Sequence, residues 1–287
     1  MNATPASTSA TPAAPAAPLQ FIDPRRFKAN TREAVDDAHL RRSFRGAMDF
    51  LQTRRAAHFA DTDAFERLRR LGEALRQYSL SKLPDLLELL EQRLTERGVQ
   101  VHWAATPEEA NALFLAIARR HNAKGMIKGK SMVSEEIELN HHMADEGINC
   151  LESDMGEYIV QLAGERPSHI IMPAIHKTKQ QIAALFADHI PDTPYTEDVD
   201  ELIAIGRRRL RHEFRDAPIG VSGVNFMVAE TGSLCLVENE GNGRMCTTVP
   251  PVHIAITGIE KVVERFEHVL PLYSLLTRSA TGQAITT

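Results

Sequence analysis

Two lysines flank a glycine in the segment whose residue types most strongly suggest chemistry, Lys128-Gly129-Lys130-Ser131. A short apolar stretch precedes this segment, and a helical pattern with Glu135 near its start follows it. A turn between a strand and a helix N-terminus is a common anion site, because free backbone N–H groups and the helix dipole both favour negative charge. The segment therefore predicts an anion-binding turn. The alternative interpretation is a basic turn that binds no ligand.

The same turn resembles a phosphate-binding P-loop in composition but lacks the required spacing. A Walker A motif needs Gly-x-x-x-x-Gly-Lys followed by Ser or Thr. Here Gly125 lies one position too close to Gly129 to satisfy that pattern. The spacing therefore argues against the binding of a nucleoside triphosphate.

A second candidate turn carries three carboxylates, Glu152, Asp154 and Glu157, where an apolar stretch gives way to a helical pattern. Asp154 can cap that helix and Glu157 can complete a capping box, so both have a structural explanation. Glu152 precedes the cap and has no such explanation. We therefore treat Glu152 as a candidate ligand-binding residue, with Glu157 as a second candidate whose structural role stays open.

A third candidate is the turn Glu230-Thr231-Gly232-Ser233, which is predicted to join two apolar strands. Gly232 is the natural turn residue, and the turn places a carboxylate beside exposed backbone N–H groups. A single glutamate in such a turn is usually solvated, but this glutamate lies between apolar segments. The turn is therefore a candidate part of a binding site.

Further polar residues could complete the same pocket. The loop that contains Glu238, Asn239 and Arg244 is rich in glycine and could supply hydrogen-bond partners at its rim. His176 and His253 each follow a proline-bearing turn and could be either structural or catalytic. By themselves these spacings form neither a metal site nor a Ser–His–Asp order.

The bulk properties of the 287-residue chain restrict the class of protein. The composition is that of a globular protein, with 43% hydrophobic and 25% charged residues, in one large domain or two small ones. A net charge of -5 argues against a general nucleic-acid binder, and no apolar run is long enough to span a membrane. Cys150, Cys235 and Cys246 are far apart and form no metal or disulfide pattern. Free thiols and the absence of a signal peptide predict a cytoplasmic protein.

The N-terminal third of the chain is predicted to be helical after a disordered tail. Residues 1–20 are mostly Ala, Pro, Thr and Ser, which bury too little apolar surface to fold. Residues 21–98 show helical periodicity, with Asn30 and Glu33 as a possible capping pair and Gly98 as a stop signal. We therefore expect an N-terminal helical region that precedes the main domain.

From residue 99 to residue 287 the pattern predicts an α/β domain, because short apolar strands alternate with helical segments. Thr106 and Pro107 form a strong helix start within this region. The expected strands are residues 99–104, 125–128, 148–152, 169–172, two strands within 219–237, and 253–256. This order predicts an open, Rossmann-like, mostly parallel sheet with helices on both faces. Ligands of such sheets bind beyond the carboxyl ends of the strands, which is where the Lys128 and Glu152 turns lie.

Four segments together resemble the lactate utilisation B proteins of the LUD-domain family, in order and in spacing. The resemblance runs from about residue 21 to the end of the chain. The segments are Lys128-Gly-Lys-Ser-Met-Val-Ser-Glu-Glu-Ile-Glu-Leu-Asn140, Glu152-Ser-Asp-Met-Gly-Glu-Tyr-Ile-Val-Gln-Leu162, Pro167-Ser-His-Ile-Ile-Met-Pro-Ala-Ile-His-Lys177 and Ala229-Glu-Thr-Gly-Ser233.

The resemblance implies a fold of the sugar isomerase and CoA transferase type and a role in oxidising L-lactate to pyruvate. It implies an electron-transfer subunit that works with the other subunits of a three-part bacterial complex. The domain would hold a small anion or an organic cofactor near Lys128, Lys130, Glu230 and Glu238. Two alternatives remain, namely a CoA transferase-like enzyme with Glu230 as its nucleophile and a scaffold without chemistry of its own.

The sequence departs from this family in one respect. The resemblance implies that full-length members continue into a ferredoxin-like section whose cysteine motifs hold two [4Fe–4S] clusters, and no such motif occurs here. A cluster needs thiolate ligands that this chain does not supply in sufficient number. We therefore expect a fragment or truncation that binds no cofactor of this kind and is not active alone.

Overall fold

The computed structural model describes residues 24–283, which begin with a set of consecutive helices. These helices are α1 (Phe27–Asp36), α2 (Ala38–His58), α3 (Thr62–Ser81), α4 (Leu83–Glu96) and α5 (Pro107–Arg120). The chain then alternates between strands and helices: β1 (Gly125–Lys128), α6 (Met132–Glu136), α7 (Leu139–Asp145), β2 (Asn149–Glu152), α8 (Met155–Leu162), α9 (Lys179–His189), α10 (Val199–Asp216) and β3 (Ile219–Gly223). The remaining elements are β4 (Phe226–Val228), β5 (Ser233–Cys235), α11 (Asn242–Thr248), β6 (Val252–Ile256), β7 (Val262–Val263) and α12 (Val269–Thr281).

The central sheet is parallel throughout and has the strand order β2-β1-β3-β6. A smaller sheet has the order β5-β4-β7, in which β4 pairs antiparallel with β5 and parallel with β7. The predicted α/β class with a mostly parallel, Rossmann-like sheet is therefore confirmed.

Helices cover both faces of the central sheet. Successive residues of a strand point to opposite faces, so each strand buries side chains on both sides. Ile127 packs with Tyr158 and Phe186 on one face. Its neighbour Met126 packs on the other face with Phe114, among other residues. Both strand residues are almost fully buried. This two-sided burial explains why the strands of the sheet read as short apolar runs rather than alternating ones.

The N-terminal helices pack on the smaller sheet and on the last helix. Leu86, Leu90 and Leu94 of α4 form a core cluster with Met227 and Val262 of the small sheet, among others. Helix α12 packs against α2 and α3. Gly98 ends α4 in a left-handed conformation with a φ of 82°, as predicted from its position.

Two predicted strands are absent from the structure. Residues 99–104 and 169–172 belong to no strand. In the first segment Val99 and Trp103 are about half exposed, and the Trp103 indole N–H donates to Glu91 of α4 over 3.1 Å instead of lying beside a sheet. In the second segment the backbone N–H groups of Ile171 and Met172 donate to the His169 ring, which closes a turn. In both segments the apolar pattern therefore predicted a strand that does not form, because no other described strand lies beside it to pair with.

Other local predictions need correction. Asn30 and Glu33 do not cap a helix, because α1 already begins at Phe27. The cap in this region is Asp37, which accepts from the His39 and Leu40 N–H groups at the start of α2. The last helix begins at Val269 rather than near residue 259, since short 3₁₀ turns and β7 precede it. The predicted disordered tail lies outside the described residues, and the proposed domain boundaries remain predictions. None of the described helices is long and apolar enough to cross a membrane.

Candidate functional site

The carboxyl ends of β1 and β2 bring the first two candidate turns together. The two strands are parallel neighbours, and the register pairs Lys128 with Glu152. Helix α6 follows the first turn and α8 follows the second, so both helix N-termini lie at the same edge of the sheet. The sequence prediction that both turns lie at strand ends is confirmed.

Lys128 directs its ammonium group into the protein interior rather than towards the turn. Its Nζ lies 2.8 Å from Glu135 Oε1 and 2.9 Å from Glu152 Oε1, and it donates to Ser134 Oγ over 3.0 Å. Burial alone would lower the pKa of Lys128, but Glu152, Glu135 and Glu157 raise it above its ordinary value. Lys128 is thus a charged residue whose charge is already balanced by neighbouring carboxylates.

Glu157 of α8 adds a buried carboxyl group to this ion cluster. Its burial, together with the charge of Glu152, raises the pKa of Glu157 to about 9. Glu157 is therefore protonated at neutral pH. Its side chain lies near Glu152 and Lys130 and does not complete the capping box that the sequence suggested. Asp154 does cap α8, because it accepts from the Gly156 and Glu157 N–H groups.

Two amides that sequence reasoning did not single out hold Glu152 in place. Asn140 donates to Glu152 Oε1 over 2.5 Å, and Gln161 accepts from the Glu152 backbone N–H over 2.9 Å. Gln161 also donates to the Cys150 carbonyl over 2.7 Å. The second oxygens of Glu152 and Glu157 are buried, and a hydrogen bond between these two carboxyl groups is one of the causes that raise the pKa of Glu157. No signal in the sequence identifies these two amides, because they reach Glu152 from different helices.

A small pocket of about 60 Å³ lies beside this cluster, beyond the ends of β1 and β3. Its walls combine glycines, one lysine, two carboxylates, two amides and a serine with two apolar residues. The lining residues are Gly129, Lys130, Asp154, Ser222, Gly223, Leu236, Val237, Glu238, Asn239, Asn242 and Gly243. The position matches the usual ligand site of an open parallel sheet.

Lys130 is the cation of this pocket, whereas Lys128 is not among its lining residues. The Lys130 ammonium donates to the Ile171 carbonyl over 3.1 Å and lies 4.0 Å from Glu157 Oε1. The Gly129 N–H donates to the Val221 carbonyl over 2.8 Å. Ser131 caps α6 through its hydroxyl oxygen. The anion-binding role predicted for this turn is therefore concentrated on Lys130 and remains a prediction.

The loop after β5 forms the opposite wall of the pocket. Glu238 accepts from the Arg244 backbone N–H over 2.7 Å, and its other oxygen lies 3.3 Å from Arg244 Nε. Asn239 lines the pocket, while the Arg244 side chain is exposed. Glu238 and Asn239 thus lie in the pocket wall while Arg244 does not, and the ligand-binding role predicted for this loop remains a prediction.

The hairpin turn contributes no lining residue to this pocket. Glu230 is exposed, and its Oε1 accepts from the Phe266 N–H over 3.1 Å. Thr231 donates to Ser233 within the turn, and Gly232 adopts a φ of 63° against Arg93 of α4. The nucleophilic role suggested for Glu230 remains a prediction that this geometry does not support.

His176 lies in the loop between α8 and α9, in a second cluster away from the pocket lining. It pairs there with Glu165 and Ser168 rather than with any residue of the pocket wall. Within residues 24–283, no group of three His, Cys, Asp or Glu side chains is arranged to hold a metal ion. The three cysteines are free thiols.

Comparison with known proteins identifies a family for most of the chain. The LUD domain matches residues 87–287. Lactate utilization protein B of Bacillus subtilis is 40% identical over 261 residues, which cover 91% of this chain and 54% of that protein. The uncharacterized electron transport protein YkgF of Escherichia coli is 39% identical over 264 residues, with 91% and 54% covered. Lactate utilization protein B of Bacillus pumilus is 40% identical over 266 residues, with 92% and 56% covered.

The chain spans about half the length of the curated relatives it matches. No solved structure matches it. These relatives include members of the family that the four sequence segments resemble.

Proposed function

The chain belongs to the LUD-domain family, and from this membership we propose that it acts in lactate utilisation as the LUD part of an electron-transfer protein. The observation that supports this proposal is the similarity, over more than nine-tenths of the chain, to two proteins named lactate utilization protein B and to one named an electron transport protein. In this proposal the complete system oxidises L-lactate to pyruvate with the help of partner subunits. This chain supplies a ligand-binding and docking domain.

We assign the ligand to the pocket beside Lys130, as a small 2-hydroxy or 2-oxo acid. The charges of the pocket favour a carboxylate at Lys130 because the neighbouring carboxyl groups are already engaged. Asp154 accepts two backbone N–H groups and Glu238 is paired with Arg244. Glu157, which lies 4.0 Å from Lys130, keeps its proton at neutral pH. Lys130, the one cation among the described residues that line the pocket, is therefore available to a ligand carboxylate.

Uncharged groups of the pocket can recognise the rest of such a ligand. The hydroxyl group of Ser222 and the amides of Asn239 and Asn242 line the same space. They can donate to or accept from a hydroxyl or carbonyl oxygen next to the carboxylate. The small volume of the pocket favours a ligand of few heavy atoms. In this arrangement the ion cluster around Lys128 supports the turn that presents Lys130, without contacting the ligand.

The iron–sulfur clusters that the resemblance implies do not fit the residues of this chain. A [4Fe–4S] cluster takes four cysteine ligands, whereas only Cys150, Cys235 and Cys246 are present. These residues lie on β2, β5 and α11, and two of them are buried. In this proposal the domain therefore contributes binding and docking, and no electron passes through its own cysteines.

A chimeric protein tests the proposal in the cell. The matching part of Bacillus subtilis lactate utilization protein B would be replaced by this chain in a strain that lacks the native protein. We expect growth with L-lactate as the only carbon source. A chimera that accumulates normally, while growing on glucose but not on lactate, would contradict the proposed role.

Direct binding tests the pocket assignment separately. Isothermal titration of the purified chain with L-lactate and with pyruvate should show saturable binding to at least one of them. The Lys130→Met variant should lose most of that binding, whereas Lys179→Met, which changes an exposed lysine of α9, should retain it. Equal binding by the two variants would place the ligand elsewhere without affecting the proposed role of the chain.

A further inference from the structure

The loop between α8 and α9 brings together a serine, a histidine and a glutamate. His176 lies between the other two residues, with Nδ1 at 2.6 Å from Ser168 Oγ and Nε2 at 2.7 Å from Glu165 Oε2. Ser168 follows Glu165 by three positions and His176 follows Ser168 by eight, and none of the three lines the pocket beside Lys130. The arrangement therefore needs an explanation that the lactate-related function does not provide.

We propose that Ser168 is a nucleophile for acyl transfer, with His176 as its general base and Glu165 as the residue that orients the imidazole. A hydroxyl group, an imidazole and a carboxylate joined in this order form the arrangement that activates serine in unrelated folds, where it is recognised by geometry and not by chain order. In most such sites the serine contacts Nε2, whereas here it contacts Nδ1. Either ring nitrogen can accept a proton when the other one donates to a carboxylate.

The hydrogen-bond pattern selects the tautomer that this role requires. A carboxylate only accepts hydrogen bonds, so the Glu165 contact places the imidazole proton on Nε2. Nδ1 then carries a lone pair and accepts from the Ser168 hydroxyl group. Burial opposes the charge of Glu165, but Lys177 and His176 together hold the pKa of Glu165 below its ordinary value. The carboxylate therefore stays ionised near neutral pH.

Surrounding residues hold the histidine in this orientation. The Lys177 ammonium pairs with the other oxygen of Glu165. His39 of α2 lies 3.1 Å from the His176 backbone carbonyl. The side chains of His176 and Lys177 are 14% and 15% exposed, while Ser168 is half-buried. The base is thus held in place, and both the base and the serine are partly accessible from outside.

The surroundings of Ser168 indicate the class of substrate. Ile170 and Ile171 follow Ser168 closely in the loop and are 61% and 36% exposed, so apolar side chains near it in the chain are free to contact a short aliphatic group. An ester of a small aliphatic acid fits this combination of a nucleophile and an apolar contact. A serine hydroxyl group beside a general base supports group transfer to the serine oxygen.

The reaction balances with water as the second substrate. Ser168 Oγ bonds to the ester carbonyl carbon while its proton moves to His176 Nδ1. The carbon–oxygen bond to the alcohol then breaks, and the alcohol leaves with that proton. Water attacks the acyl-serine in the same way, which releases the acid and restores the serine.

The protein contains a second serine–histidine pair that serves as an internal control. Ser222 Oγ lies 2.8 Å from His253 Nε2. Ser222 is only 3% exposed, and no carboxylate within the described residues is hydrogen-bonded to His253. This pair therefore lacks the orienting carboxylate found beside His176, and its serine is more deeply buried than Ser168.

Covalent labelling tests the proposal with diisopropyl fluorophosphate as the probe. Peptide mass spectrometry should locate a single phosphoryl adduct on Ser168, with fluoride released, and none on Ser222. Because a general base contributes on the order of 10²-fold or more, His176→Gln should slow labelling by at least about that factor. Glu165→Gln should slow it as well, and Glu165→Asp should recover part of the loss, which a purely structural role would not predict.

Each contrary result would overturn the inference. Absence of an adduct on Ser168 at a probe concentration that labels a reference serine esterase would exclude an activated serine. Equal labelling of the wild-type protein and of a folded His176→Gln variant would exclude the histidine as base. Unchanged circular dichroism of each variant would show that the loss of labelling does not come from unfolding.

Discussion

Two turns of this protein carry glutamates that the sequence marks as candidates, and the fold places them in opposite environments. Glu152 lies at the end of β2, is almost fully buried, and pairs with Lys128 from the neighbouring strand. Glu230 lies in the turn between β4 and β5, is exposed, and accepts from a single backbone N–H group. Parallel strands bring their carboxyl ends together from distant parts of the chain, whereas a hairpin turn joins only sequence neighbours. A carboxylate of the parallel sheet is therefore much more tightly coupled to other residues than one of the hairpin.

The largest effect should follow the removal of the buried ammonium group. Lys128→Met leaves Glu152 and Glu135 without their cation, and breaking a buried ion pair typically costs about 3–5 kcal/mol of unfolding free energy. Urea titration of the purified variant measures this loss. Lys130→Met is the matched control, because this neighbouring lysine is partly exposed and should cost at most about 1 kcal/mol.

A double variant sharpens the interpretation of this loss. Glu152→Gln added to Lys128→Met removes one unpaired charge, so it should recover part of the lost stability if charge burial is the cause. Equal stability of the Lys128→Met and Lys130→Met variants would show that the buried cluster is no more strongly coupled than the surface.

The next effect should depend on pH and concerns Glu157. The pKa of its carboxyl group is raised from 4.5 to about 9 in the folded protein. Between these two pH values the folded state holds a proton that the unfolded state has lost, so wild-type stability falls as pH rises through this window. Glu157→Gln imitates the protonated group and should avoid that fall.

The expected gain of Glu157→Gln over the wild type is on the order of 2 kcal/mol greater at pH 9 than at pH 7. Urea titrations of both proteins at the two pH values measure this difference. Glu88→Gln, which changes an exposed glutamate of α4, should differ from the wild type by the same amount at both pH values. A gain for Glu157→Gln that does not vary with pH would mean that Glu157 is ionised in the folded protein.

These predictions also show how far the sequence determines the site. The turns at Lys128 and Glu152 could be located because glycine, apolar runs and capping residues are local signals, as the Asp154 cap illustrates. The inward direction of Lys128 could not be predicted, because it depends on Glu152 from another strand and Glu135 from another element.

The same limit applies to the fold and to the loop beyond α8. Residues 99–104 and 169–172 carry apolar patterns typical of strands, but no strand lies beside them and they form none. The Ser168 cluster was not predicted because Glu165 and His176 meet only after the loop folds back on itself. Local periodicity therefore identified the four strands of the central sheet, but it predicted two strands instead of three within residues 219–237 and missed β7. Contacts that depend on chain reversal remained hidden.

A smaller loss should follow removal of the cap on α8. Asp154→Ala removes an acceptor for two backbone N–H groups, which typically costs about 1 kcal/mol. Asp61→Ala, which removes an exposed cap from α3, is the matched control. We expect the buried cap to cost more than the exposed one in thermal unfolding, because its released N–H groups lie where water has less access. Equal losses would show that the pocket edge adds nothing to an ordinary helix cap.

The smallest effect should occur at the hairpin. Glu230→Gln keeps an oxygen that can accept from the Phe266 N–H, and it changes only an exposed charge. The unfolding free energy should therefore change by less than about 0.5 kcal/mol.

The same variant tests the CoA transferase alternative, in which Glu230 would form a covalent adduct with an acyl-CoA. Because Glu230 does not line the pocket beside Lys130, we expect no mass increase on the wild-type chain after incubation with acetyl-CoA. A glutamyl-CoA adduct that Glu230→Gln abolishes would reverse the comparison and make the exposed turn the reactive one.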